Sequence, residues 1–127
     1  MRLPWIARPR QPLSVEDLVA RGRHAEAAAL FRAELDSRSP TLADRVRLAD
    51  LLVEADRGAE ALPILLGVSD EQARYGFREK ALEALRRADA ISPGDPATRE
   101  RFAMLARMPA LRPAAKKRRL AGTGARG

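Results

Sequence analysis

Residues 76–93 read GFREKALEALRRADAISP, and the spacing of small and apolar residues in this stretch is the strongest indication of the fold class. Ala81, Leu85 and Ala88 follow one another at intervals of four and three residues, which places them on one face of an α-helix. The glycine that opens the stretch and the Ser-Pro pair that closes it are typical of helix ends. The stretch therefore predicts an amphipathic helix from Phe77 to Ile91.

The same spacing occurs twice more, upstream of this stretch. In each copy a turn residue stands five positions before an alanine, and a large apolar residue stands four positions after it. The three copies are Gly22, Ala27, Phe31; Asp56, Ala61, Leu65; and Gly76, Ala81, Leu85. The first two alanines are 34 residues apart but the last two only 20, so one helix is expected to end the second copy and begin the third.

The pattern resembles that of the tetratricopeptide (TPR) family. The 34-residue period is that of the family, and Ala88 and Pro93 stand where its repeats place a small residue and a terminating proline. The resemblance implies an all-α fold, a short stack of about six helices in helical hairpins. The 20-residue step departs from a regular array, and an irregular helical bundle with coincidental spacing is the alternative.

Start and stop signals along the chain agree with this helical reading. The predicted helices are Val15–Arg21, His24–Asp36, Leu42 to about Ala55, Ala59 to about Tyr75, Phe77–Ile91, and Pro96 to about Met108. Gly67 and Ser69 could interrupt the fourth, because a helix stop followed by a cap is also a valid interpretation. We favour one continuous helix.

Charge divides the chain into a folded segment and two tails. Residues 1–13 and 108–127 together carry nine basic and no acidic side chains, whereas residues 14–107 carry 15 basic and 17 acidic ones. We therefore expect a TPR-like helical domain over 14–108, a basic Pro-rich tail over 1–13 and a disordered basic tail over 109–127. The folded domain is close to neutral, so its charge alone does not indicate nucleic-acid binding.

Composition excludes several classes of function. The chain has no cysteine, which removes disulfide frameworks and thiolate metal sites. Its longest apolar run, 61–68, is far shorter than the roughly 20 residues that span a bilayer, and no signal peptide is evident. We expect a cytoplasmic protein.

Catalytic groups are not apparent. The single histidine, His24, lacks the partners that a metal site needs, and the serines stand at helix caps or turns. Carboxylate pairs such as Asp50 and Glu54 fall on helix faces expected to be solvated. The sequence thus predicts a protein that is not an enzyme, with no cofactor and no metal.

Two regions remain as candidate binding sites. In the family that the chain resembles, the first helices of successive hairpins line a concave face that holds a partner protein; in this sequence that position implicates Arg47, Asp50, Val53 and Glu54. A merely solvated face is the competing interpretation. The chain has no asparagine, which argues against the family's mode of clamping an acidic C-terminus.

The second candidate is the cation run Lys116, Lys117, Arg118 and Arg119. Such a run attracts nucleic acid or an anionic lipid surface, although it also serves as a solubilising tail. The leading hypothesis is an adaptor or scaffold that binds a partner protein, and the alternative is a nucleic-acid-associated protein that docks through this tail. A regulatory domain separated from a multidomain signalling protein is a third possibility.

Overall fold

The computed structural model describes residues 11–109, and within this range the chain forms six helices and no strand. They are α1 (Val15–Ala20), α2 (His24–Leu35), α3 (Leu42–Glu54), α4 (Gly58–Arg74), α5 (Arg78–Ile91) and α6 (Pro96–Arg107). The all-helical prediction is confirmed, and each predicted boundary lies within two residues of the observed one. Most of the two predicted tails, including Lys116, Lys117, Arg118 and Arg119, lies outside the described residues.

Two helices begin with a reciprocal capping box. The Thr41 hydroxyl accepts from the Asp44 N–H, and the Asp44 carboxylate accepts from the Thr41 N–H, both at 3.0 Å. Ser14 and Asp17 cap α1 in the same way. A hydrogen bond from Arg38, together with the Thr41 N–H, lowers the pKa of Asp44 to about 2. These caps satisfy N–H groups that have no partner within the helix.

The helix α4 is continuous, as favoured from the sequence. Ser69 is only 1% exposed and lies inside the helix, so it is a small buried residue of α4 and does not cap a separate helix. Pro63 removes one donor near the start of α4; the carbonyl left without that bond belongs to Ala59, which is exposed to water.

The three aligned turn residues adopt one backbone conformation. Gly22, Asp56 and Gly76 have φ of 74°, 64° and 83°, the left-handed region in which a helix commonly ends. In each turn the next residue's N–H donates to the carbonyl five positions back, at 2.8 Å. Asp56 is the single non-glycine residue with positive φ among the described residues, and aspartate tolerates this region better than most side chains.

The three aligned alanines are completely buried. Ala27, Ala61 and Ala81 each have 0% exposure, and the large apolar residues that follow them by four positions belong to the same core cluster. We call these three residues the alanine seam. A side chain of one methyl group lets neighbouring helices approach closely.

Successive helices pack against one another, and α4 packs on both α3 and α5. Arg45 near the start of α3 pairs with Glu71 near the end of α4 at 2.9 Å, so these two helices are antiparallel. At the other side of α4, a Cβ built on Gly58 would lie 2.8 Å from Cγ2 of Ile91, which ends α5. The first residue of α4 thus touches the last turn of α5.

Candidate functional site

The exposed side of α3 lies between α1 and α5. Arg47 donates to Glu16 of α1 at 3.1 Å, and its guanidinium lies 5.5 Å from the ring centroid of Phe31 in α2. One turn further along α3, Asp50 accepts a hydrogen bond from Arg87 of α5. Side chains of α3 therefore connect it to the two helices on either side of its exposed face.

A depression lies at the carboxyl ends of α3 and α5. It has a volume of about 500 Å³ and is open to solvent. It is lined by Asp50, Val53, Glu54, Asp56, Gly58, Leu65, Arg87, Ala90 and Ile91. We call it the α3–α5 groove.

Apolar side chains form the base of this groove. Val53 is 44% exposed, and Ile91 in the same lining is half-buried. Leu65 of α4 closes the groove from below and is only 1% exposed. The base is therefore an accessible extension of the core.

Carboxylates form the rim. The lining contains one guanidinium, that of Arg87, and three carboxylates, those of Asp50, Glu54 and Asp56, so it carries a net charge of −2 (one cation against three anions). Arg87 forms an ion pair with Asp50. Within residues 11–109, no basic side chain forms an ion pair with Asp56. The groove therefore combines an apolar base with unbalanced negative charge.

His24 contributes to the edge of this region. Its Nε2 lies 3.7 Å from the Glu54 carboxylate, and the contact is an ion pair only when the imidazole is protonated. Among residues 11–109, no three His, Asp or Glu side chains are grouped so that they could hold a metal ion. Across the same residues, no helix is both long enough and apolar enough to cross a membrane.

Three of the four residues predicted for partner contact line the groove together: Asp50, Val53 and Glu54. Arg47 does not line it, because its guanidinium is held one turn away against Glu16 and Phe31. The structure therefore places three of the four predicted contact residues in the groove and the fourth, Arg47, in an ion pair beside it.

Sequence reasoning missed the opposite wall of the groove. The residues of α5 that line the groove share one helix face at offsets of three and four: Arg87, Ala90 and Ile91. This shared face could be recognised from the sequence. The sequence does not show that this face of α5 points toward α3. The orientation of α5 depends on how α4 packs between the two helices.

Comparison of the chain with protein-family models, with curated proteins and with solved structures found no match.

Proposed function

We propose that this chain is a non-catalytic protein–protein interaction module of TPR-like architecture, which binds a segment of a partner protein in the α3–α5 groove. The groove carries the proposal, because an accessible apolar base with a charged rim is the usual composition of a peptide-binding surface. Three equivalent turns, the alanine seam and the sharing of α4 between two neighbours support the TPR-like arrangement.

A second large depression makes a weaker candidate. It has a volume of about 530 Å³ between α4 and α6 and includes Met104 and Met108. Its charged residues balance, two acidic against two basic, and Arg101 is locked to Asp70 by two hydrogen bonds at 2.8 and 3.0 Å. The lining of this second depression is therefore neutral, whereas the lining of the α3–α5 groove carries net negative charge.

Affinity capture from cells of the source organism, followed by mass spectrometry, tests the proposal. The bait is the full chain, compared with a Val53→Glu variant that places a charge on the apolar base. Because Val53 is already 44% exposed, the substitution is expected to leave the protein folded, at a cost on the order of 1 kcal/mol. Loss of a central apolar contact is expected to weaken partner binding by about tenfold or more.

A charge reversal in the groove, Glu54→Lys, has a matched control in Glu34→Lys on the exposed surface of α2. The groove variants should lose a partner that the control retains. Equal capture by all baits would contradict the proposed site, and the absence of any specific partner would contradict the adaptor function.

The nucleic-acid alternative rests on Lys116, Lys117, Arg118 and Arg119. Deleting residues 109–127 separates the two hypotheses. If partner capture survives and retention on DNA disappears, the tail is accessory. If all binding disappears, the groove does not bind the partner.

A further inference from the structure

We propose that the chain's own N-terminal segment, residues 2–10, docks in the α3–α5 groove, with Trp5 on the apolar base and the arginines facing the rim carboxylates. The segment lies outside the described residues. This inference rests on the proposed function, because both treat the groove as a binding surface. It adds that the N-terminal segment competes with the partner for the groove.

The chemistry of the groove defines what can occupy it. An occupant needs a bulky apolar side chain to cover Val53 and Ile91, and cations to balance Glu54 and Asp56. Residues 2–10 read RLPWIARPR, with three arginines, no acid, and Trp5 beside Ile6. An aromatic side chain such as tryptophan buries roughly 150–250 Å² of surface, so Trp5 can cover the apolar base with a single side chain.

The segment precedes the start of α1, whose other end leads to His24 beside Glu54, so it must run back along α3 to reach the groove. Glu16 of α1 contacts Arg47 of α3 at 3.1 Å, and Val53 lies six residues further along α3, or about 9 Å at 1.5 Å per residue. Trp5 is six residues from Gln11, the first described residue, which allows a span of roughly 20 Å in extended chain. The extended tether is thus about twice the distance from Arg47 to Val53 along α3.

The C-terminal cation run is a poorer occupant. The described chain ends beside Met108, which shares a depression with Ala73 near the end of α4, whereas the groove lies at Gly58, where α4 begins. These two positions are 15 residues apart along α4 (73 − 58), or about 22 Å. Lys116 would need nearly all of its roughly 24 Å tether to reach it. Leu120 is also the single large apolar residue next to that run.

Trp5 is the only tryptophan of the chain, so its fluorescence reports the docking directly. The experiment compares the full chain with a synthetic peptide of residues 1–12. We expect the full chain to emit at shorter wavelength than the peptide and to be quenched several-fold less by acrylamide. Emission and quenching equal to those of the free peptide would overturn the proposal.

Groove variants identify where the tryptophan docks. Val53→Glu and Glu54→Lys in the full chain should each move the emission toward that of the peptide, whereas Glu34→Lys should leave it unchanged. Circular dichroism confirms that each variant is folded. If Trp5 emission stays protected in both groove variants, the segment docks elsewhere and the proposed site is wrong.

A further variant tests the segment without altering the helices. Replacing Arg2, Arg8 and Arg10 by glutamate should expose Trp5, because the rim would then repel the segment. The protected emission should persist on dilution, since the contact is within one chain; its loss would assign the contact to a second copy and overturn the intramolecular proposal.

The outcomes separate the two proposals. An exposed Trp5 in a chain whose partner capture still depends on Val53 rejects only the docked segment. A docked Trp5 in a chain that captures no specific partner rejects only the adaptor function.

Discussion

Replacing Gly58 by alanine should destabilise the protein, although alanine is the better helix former. Gly58 is the first residue of α4, and an added Cβ would lie 2.8 Å from Cγ2 of Ile91, closer than carbon atoms normally pack. That γ-methyl belongs to a β-branched side chain with little rotamer freedom in a helix. The two helices must therefore separate slightly, or Ile91 must leave its rotamer.

Two opposing contributions determine how Gly58→Ala changes the free energy of unfolding. Gly→Ala in a helix gains up to about 1 kcal/mol from propensity, and the gain is smaller at a first-turn position. Overpacking costs typically about 1–3 kcal/mol. We therefore expect Gly58→Ala to lose about 1 kcal/mol in the free energy of unfolding, which for a domain of this size lowers Tm by roughly 4–8 °C.

Gly67 provides a matched control in the same helix. It is exposed, and a Cβ at this position would meet nothing within 4 Å. Gly67→Ala should therefore stabilise the protein by roughly 0.5–1 kcal/mol. Urea unfolding followed by circular dichroism measures both variants under the same conditions.

A double-mutant cycle with Ile91→Ala isolates the contact. With the γ-methyl removed, the second substitution at Gly58 should no longer cost stability, giving a coupling of about 1–3 kcal/mol. If Gly58→Ala is as stabilising as Gly67→Ala, the close approach of α4 and α5 is wrong, and with it one wall of the groove.

Three further predictions concern the caps and the core. Thr41→Ala should cost about 1 kcal/mol in urea unfolding, because the α3 capping box is lost; no change would mean that the cap contributes nothing. The pKa of Asp44 is about 2 in the folded chain against 3.8 in the unfolded one, so the stability it contributes is complete above about pH 4 and is lost as pH falls toward 2. Asp44→Asn should flatten the stability profile in that window, and an unchanged acid profile would contradict the assignment. Ala61→Leu in the alanine seam should cost about 1–3 kcal/mol through overpacking, whereas Ala59→Leu on the exposed side of the same helix should be close to neutral; equal effects would refute close packing at the seam.

Much of the fold could be predicted because the decisive signals are local. Three turn residues, each five positions before a buried alanine, mark where helices begin and which face they bury. Asp56 shows that the position and not the residue type sets the turn, since it adopts the same backbone conformation as Gly22 and Gly76.

The candidate site was predictable only in part, because it is assembled from helices distant in sequence. Asp50, Val53 and Glu54 could be identified on one exposed face of α3. Their partner Arg87, 37 positions from Asp50, could not, since ion pairs of long side chains depend on the final placement of α5. Arg47 was grouped with them from the sequence, but its contacts with α1 and α2 direct it away from the groove.

The most direct test of the proposed function is a photo-reactive side chain placed at Val53 of the full chain and activated in cells of the source organism. A second chain carrying the same group at Glu34 is the reference. If a partner binds in the α3–α5 groove, a covalent adduct forms between another protein and position 53, and none forms at position 34. An adduct with another protein at position 34 alone would contradict the assignment of the α3–α5 groove as the binding surface.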